Sequence, residues 1–136
     1  MPNQKTLSII KPDAVKAGNA DAINLMIENS GLKILEKKEL KLSKEEAQQF
    51  YSVHSDKPFY KELCEFMTSG PIIAQMLEGE NAIELYRKVM GATNPEEAEE
   101  NTIRKKFAIS IQENAVHGSD SEDNALKELN FFFKDI

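Results

Sequence analysis

The chain has 136 residues, 40% hydrophobic and 29% charged, with 17 Lys+Arg against 23 Asp+Glu and a formal net charge of −6. That length suits a single domain over residues 1–136 with a core of its own, and no apolar run reaches the roughly 18 residues of a transmembrane helix. The acidic balance argues against sequence-independent nucleic-acid binding and, at first sight, against any polyanionic ligand. The start Met1-Pro2-Asn3-Gln4-Lys5 has no apolar signal core, and the one cysteine, Cys64, has no internal disulfide partner, so a reducing cytoplasm is expected.

Along the chain, Thr6–Ile10 is a short β-rich run closed by Lys11-Pro12-Asp13. Pro12 ends regular pairing, which puts Lys11 at the strand's C-terminal mouth. Ile23, Met26 and Ile27 recur at helical spacing before a stop at Ser30-Gly31. Leu32, Ile34, Leu40 and Leu42 share one parity, predicting a long strand whose charged middle, Glu36–Glu39, is solvated or bulged. Ser43-Lys44-Glu45-Glu46 has the capping-box pattern and opens a helix with Ala47, Phe50, Tyr51 and His54 on one face. Lys57-Pro58-Phe59 opens another through Leu63, Phe66 and Met67.

Gly70-Pro71 precedes a strand over Ile72–Leu77, and Gly79 precedes a helix with Ala82, Leu85, Tyr86 and Val89 inward, stopped at Gly91. Between Gly91 and Asn114 only the stretch around Thr102–Ala108 reads as helical, and a loop this long in a compact domain is usually functional. Ala115-Val116-His117 reads as a short strand, and Ser119-Asp120-Ser121-Glu122 as a second capping box before a helix burying Ala125, Leu126, Leu129, Phe132 and Phe133. Reduced to its sheet, the order is βαββαβ. The expected fold is α+β and ferredoxin-like: a four-stranded antiparallel sheet, helices packed on its face, and a long loop before the last strand.

The chain has two histidines. His54, on an apolar helix face, reads first as a structural residue. His117 ends a strand just before a helix N-terminus, where anions are favoured; by position alone a loop histidine and an anion-site histidine stand level. Lys11, Arg87 and Arg104, taken singly, read as surface cations, Thr93 and Asn114 as turn residues, Tyr51 and Phe59 as core aromatics, Glu128 as a solvated helix residue and Cys64 as a buried core residue. The run Glu96-Glu97-Ala98-Glu99-Glu100 reads as a solvated segment without the spacing of a calcium loop. Glycine-rich phosphate loops and zinc spacings are absent, so any nucleotide must be held by side chains.

The stretch Asn114-Ala115-Val116-His117-Gly118-Ser119-Asp120 resembles the active-site signature of nucleoside diphosphate kinases, Asn-x-x-His-Gly-Ser-Asp. Further blocks resemble that family in order: Thr6–Asp13, Tyr51-x-x-His54-x-x-x-Pro58-Phe59-Tyr60, Phe66–Pro71, Leu77–Ala82 and Gly91–Pro95. The resemblance implies the ferredoxin-like fold and transfer of the γ-phosphate of a nucleoside triphosphate, mainly ATP, to a nucleoside diphosphate. By it, His117 is the nucleophile at Nδ1 and Lys11 and Tyr51 lie near the transferred phosphoryl group. Lys11 and Asn114 reach the ribose 3′-hydroxyl, and Arg87, Thr93 and Arg104 hold the other phosphates. Phe59 stacks on the base, and Glu128 and Ser119 orient the histidine. Mg²⁺ is implied as a cofactor carried on the nucleotide phosphates rather than by protein ligands. The implied partners are ribo- and deoxyribonucleoside tri- and diphosphates and further copies of the chain, as a tetramer or hexamer, with no membrane and no specific nucleic acid.

The residue types suit this chemistry. Imidazole is a competent nucleophile near neutral pH, and phosphoryl transfer needs positioning and cationic stabilisation above all. A catalytically weak nucleotide-binding or interaction module of the same fold is the other reading. An RNA-binding domain of this fold lacks its aromatic strands and has the wrong sign of charge. Departures from the family pattern are Asn101, where many members have glycine, the segment Ala17–Asp21, and the short stretch after Phe133. The resemblance places Glu96–Glu100 on the long loop that hexamers of the family use at a three-fold contact; four carboxylates there would repel, which favours a tetramer or a salt-dependent hexamer.

Overall fold

The structure, a computed structural model, describes residues 3–52, 55–110 and 113–133. Strand β1 (Asn3–Ile10) is followed by helices α1 (Pro12–Lys16) and α2 (Ala20–Asn29), strand β2 (Lys33–Leu40), and helices α3 (Lys44–Phe50) and α4 (Tyr60–Met67). Then come β3 (Ile72–Glu80), α5 (Ala82–Met90), α6 (Ile103–Phe107), β4 (Val116–Gly118) and α7 (Glu122–Phe132). The sheet order is β2-β3-β1-β4 with every pairing antiparallel, the ferredoxin-like arrangement expected from the element order. β1 and β3 pair over their whole shared length, from Asn3 opposite Glu80 to Ile10 opposite Ile73, so both strands run beyond their apolar stretches.

Alternation along the central strand feeds two cores. Leu7 and Ile9 pack with Met67, Ile72, Ala74, Leu129 and Phe132, beneath α3, α4 and α7. Ile10 packs with Ile23, Ile27, Tyr86, Met90, Ile103 and Val116, beneath α1, α2, α5 and α6. The helices of the βαββαβ unit, α2 and α5, thus share one face, and the added helices α3, α4 and α7 cover the other. Helices on both faces leave Thr6–Ile10 wholly buried.

Local chemistry explains the element ends. The capping box of α3 forms in full: Glu46 N–H donates to Ser43 Oγ at 3.1 Å and Ser43 N–H to Glu46 Oε1 at 2.9 Å. In β2, Ile34 faces Leu77 while Glu36 faces Met76, so Leu35 is an extra residue: the bulge lies just before the charged middle, and Glu36–Glu39 pairs regularly with its side chains exposed. α1 is not anticipated by the sequence pattern: Pro12, expected only to break a strand, occupies the helix's first turn, where its missing N–H costs nothing. The second capping box is also corrected. The cap of α7 is Ser121, whose Oγ accepts from Asn124 N–H at 3.2 Å, while Ser119 is buried and bonded elsewhere.

The stretch between α5 and β4 is pinned at two left-handed positions. Gly91 has φ +87°, and a Cβ there would lie 2.5 Å from Thr102 Oγ1. Asn101 has φ +71°, the left-handed region, where a glycine would cost nothing; asparagine is among the residues that tolerate this region. We expect Asn101→Gly to leave stability within about 1 kcal/mol of the parent and Asn101→Val to lower it by roughly 1–2 kcal/mol. Urea unfolding checks both.

Candidate active site

His117 pairs with Ile9 across β1 and β4, so its side chain leaves the sheet on the α3–α4–α7 side. Gly118 then faces the other way, where a Cβ would come within 2.8 Å of the Tyr86 ring and 2.6 Å of Met90 Cε. That close packing of β4 on α5 requires a glycine directly after the histidine. His117 Nε2 lies 3.1 Å from Glu128 Oε1 on α7, and Ser119 Oγ donates to the same oxygen at 2.7 Å. A carboxylate only accepts, so Nε2 carries the hydrogen and the neutral ring keeps its lone pair at Nδ1. Phe50 and Tyr51 meet the imidazole edge-on, with centroids 5.6 and 6.3 Å away, which fixes the ring's tilt.

A cavity of about 780 Å³ brings together Lys11, Tyr51, Phe59, Arg87, Thr93, Arg104, His117 and Glu128. Two of the expected residues stand behind it. Asn114 accepts from Lys11 Nζ at 2.8 Å, and Ser119 holds Glu128. Sequence separations of up to 103 residues are closed in these contacts. The expected His54 lies outside the described residues. A larger groove, about 1,010 Å³, runs between β2 and the end of α7 and contains none of the expected site residues.

Lys11 and Arg104 are buried, while Arg87, Thr93 and Phe59 are exposed at the cavity rim. Burial, and secondarily the Arg104 charge, lowers the Lys11 pKa to about 8, against a smaller opposing effect of Asp13. Burial also pulls Arg104 down. Its guanidinium donates through Nη1 to the Gly91 carbonyl and through Nη2 to the Val116 carbonyl, each at 3.0 Å. Burial drives the Tyr51 phenol up, so it stays a donor, and its buried Oη has no hydrogen-bond partner among the described residues. Cys64 is buried, as expected. Among the described residues no group of three or more His, Cys, Asp or Glu side chains could hold a metal ion.

Two residues of this neighbourhood were given no role by sequence pattern. Phe50 packs on the histidine ring although its helical spacing marks it only as apolar. Asp13 Oδ2 accepts the Ala115 N–H at 3.2 Å across 102 residues. Its place in Lys11-Pro12-Asp13 is the only local signal, and nothing in that signal specifies the contact.

The profile of the family described as "Nucleoside diphosphate kinase" matches residues 4–136. A nucleoside diphosphate kinase of Rhodovulum sulfidophilum is 57% identical over 136 residues, covering 100% of this chain and 97% of that one. Another, of Persephonella marina, is 56% identical over 133 residues, covering 98% and 95%. Among solved structures, the Aquifex aeolicus nucleoside diphosphate kinase superposes with a TM-score of 0.92 at 40% identity, covering 97% of this chain and 96% of that one. The Halobacterium salinarum nucleoside diphosphate kinase, solved in complex with CDP, gives 0.93 at 37% identity, covering 98% and 90%. With the fold, the histidine and the cation-lined cavity before us, the chain belongs to the nucleoside diphosphate kinase family of nucleotide-binding phosphotransferases.

Proposed function

We propose that His117 carries the phosphoryl group between a nucleoside triphosphate and a nucleoside diphosphate, in two half-reactions at one cavity. The observation that carries this is the hydrogen bond from His117 Nε2 to Glu128, which leaves the Nδ1 lone pair in a cavity lined by Lys11, Arg87 and Arg104. In the first half-reaction Nδ1 attacks the γ-phosphorus. The P–N bond forms as the bond to the β-phosphate oxygen breaks, and the diphosphate leaves with the electron pair. Glu128 offsets the positive charge the ring acquires, and Ser119 holds Glu128 in place. In the second, a β-phosphate oxygen of an acceptor diphosphate attacks the same phosphorus, and the P–N electrons return to Nδ1. A covalent intermediate of this kind gives ping-pong kinetics.

The cations have separable tasks. Lys11 and Tyr51 donate to the phosphoryl group in flight, Arg87, Thr93 and Arg104 hold the other phosphates, and Lys11 with Asn114 reaches the ribose 3′-hydroxyl. Phe59, half-exposed at the rim, stacks on the base; a π-face contact tolerates every base and the 3′-hydroxyl is common to ribose and deoxyribose, so ribo- and deoxyribonucleotides of all bases are substrates and cellular triphosphate pools are balanced. Mg²⁺ enters as part of the nucleotide substrate, bound to its phosphates. A donor set rich in Lys and Arg suits a phosphate chain whose remaining charge the ion neutralises. The catalytically weak alternative is not favoured, because the nucleophile and its supporting residues are all present.

The same reading takes residues 1–136 as one domain acting in the cytoplasm. No helix among the described residues is long and apolar enough to cross a membrane. It also takes the chain as a homo-oligomer. β2 is an edge strand with Leu35 41% exposed, a natural place for another copy. Glu96, Glu97, Glu99 and Glu100 are all exposed, so their repulsion at a three-fold contact favours a tetramer or a salt-dependent hexamer.

Incubation with γ-labelled ATP is expected to place an acid-labile label on His117 that moves to added GDP. Label that is acid-stable, or that persists in His117→Ala, contradicts the mechanism. Arg87→Ala and Arg104→Ala should each lower kcat/KM by roughly 10–10³-fold, as for other groups aimed at developing charge, while Lys16→Ala, outside the cavity, should change it little; steady-state assays decide. Lys11 acts in its charged form, so kcat/KM should fall as pH rises through about 8. Bound phosphate stabilises the ammonium, so the corresponding limb in kcat should lie at higher pH. A pH profile flat from 7 to about 10 would remove Lys11 from the transfer step.

A further inference from the structure

The three residues leading into β4 form a strained turn. Ala115 has φ +74°, and Val116 N–H donates to the Asn114 carbonyl two residues back at 2.9 Å. This is a γ-turn of the uncommon positive-φ kind, which an alanine adopts only when its surroundings hold it there. The turn is gripped from outside at each residue. Lys11 N–H donates to the Ala115 carbonyl at 2.8 Å, Arg104 Nη2 to the Val116 carbonyl at 3.0 Å, and Lys11 Nζ to Asn114 Oδ1 at 2.8 Å. The Ala115 N–H, at the most strained residue, is taken by the Asp13 carboxylate at 3.2 Å.

We infer that Asp13 is a positioning residue for phosphoryl transfer: by accepting the Ala115 N–H it holds the strained turn that sets Asn114 against Lys11 and aims His117. The inference rests on the phosphotransfer reading above for its kinetic consequence. Its structural content stands on the turn alone. Asp13 is itself half-buried, with its other oxygen, Oδ1, buried and without a hydrogen-bond partner among the described residues. Burial raises its pKa, so a carboxylate here is not the least costly filler of the space. If the Ala115 N–H is released, the alanine relaxes toward negative φ, and Asn114 and Val116 turn with it. Lys11 Nζ and Arg104 then lose their acceptors together, and β4 presents His117 at a different angle.

Three variants separate this role from a merely structural or charge-based one. Asp13→Asn keeps an oxygen acceptor for Ala115 N–H; Asp13→Ala removes it; and Asp13→Ala/Ala115→Gly removes it while giving the turn a residue to which positive φ costs nothing. Single-turnover phosphorylation by ATP should be within about threefold of the parent in Asp13→Asn. It should be slowed roughly 10–100-fold in Asp13→Ala, the scale of a misplacement near 1 Å, with ATP affinity changed less than about threefold. The added glycine should restore most of the lost rate. Amide hydrogen exchange, read in the same proteins after circular dichroism shows them folded, should be faster at Ala115 in Asp13→Ala and close to the parent in Asp13→Asn. Parent-like phosphorylation in Asp13→Ala, an Asn variant as slow as the Ala variant, or a double variant with no recovery would each overturn the inference. A parent protein that takes no label from ATP would instead count against the phosphotransfer reading, and the exchange comparison would then decide the clamp by itself.

Discussion

The site is organised around two cations that the fold buries. Lys11 and Arg104 are both buried at one cavity, and each would be easier to accommodate uncharged or in water. Like charges in a partly desolvated place cost free energy unless neutral acceptors or an anion answer them. The fold answers in part with neutral acceptors. Gly91 and Val116 carbonyls take Arg104, and the Asn114 amide oxygen takes Lys11. None of these brings a negative charge and the Asp13 carboxylate offsets Lys11 only in part, so on the proposed reading a phosphate chain answers what the fold leaves unrelieved.

Much of the irregular backbone serves those anchors. Gly91 takes φ +87° where a side chain would strike Thr102, and its carbonyl thereby meets Arg104. Ala115 takes φ +74° between the two residues that meet Lys11 and Arg104. Strain gathered around a reactive group, and held by surrounding hydrogen bonds, is a common way to keep a site pre-organised. The histidine is treated alike. Its Nε2 is given to Glu128, its ring is held by Phe50 and Tyr51, and among the described residues Nδ1, the nitrogen proposed to carry the chemistry, is left over.

The net charge of −6 therefore says little about the ligand. At physiological salt, exposed charges further off than roughly 8 Å are largely screened. Carboxylates such as those of Glu96–Glu100 are exposed on the surface, whereas the cations that matter are gathered at one cavity. Acidity and phosphate chemistry coexist because one is a property of the surface and the other of a place.

By itself, the sequence determined the elements whose causes are local. Apolar parity sets the strands, Ser43 and Glu46 close a capping box on each other, and the motif around His117 carries enough chemistry to identify the family. Local causes also misled where two readings compete over a few residues: Pro12 starts a helix as readily as it ends a strand, and Ser121 outcompetes Ser119 as a cap because Ser119 is drawn to Glu128. Only the tertiary structure decided that Glu128 takes His117 Nε2, that Lys11 and Asn114 touch, that Arg104 is tied to two carbonyls, and that Asp13 holds Ala115. Each of these depends on β1 lying between β3 and β4 and on α7 folding back over the sheet. Such contacts join residues far apart in the chain, and no spacing or periodicity within one segment can encode them.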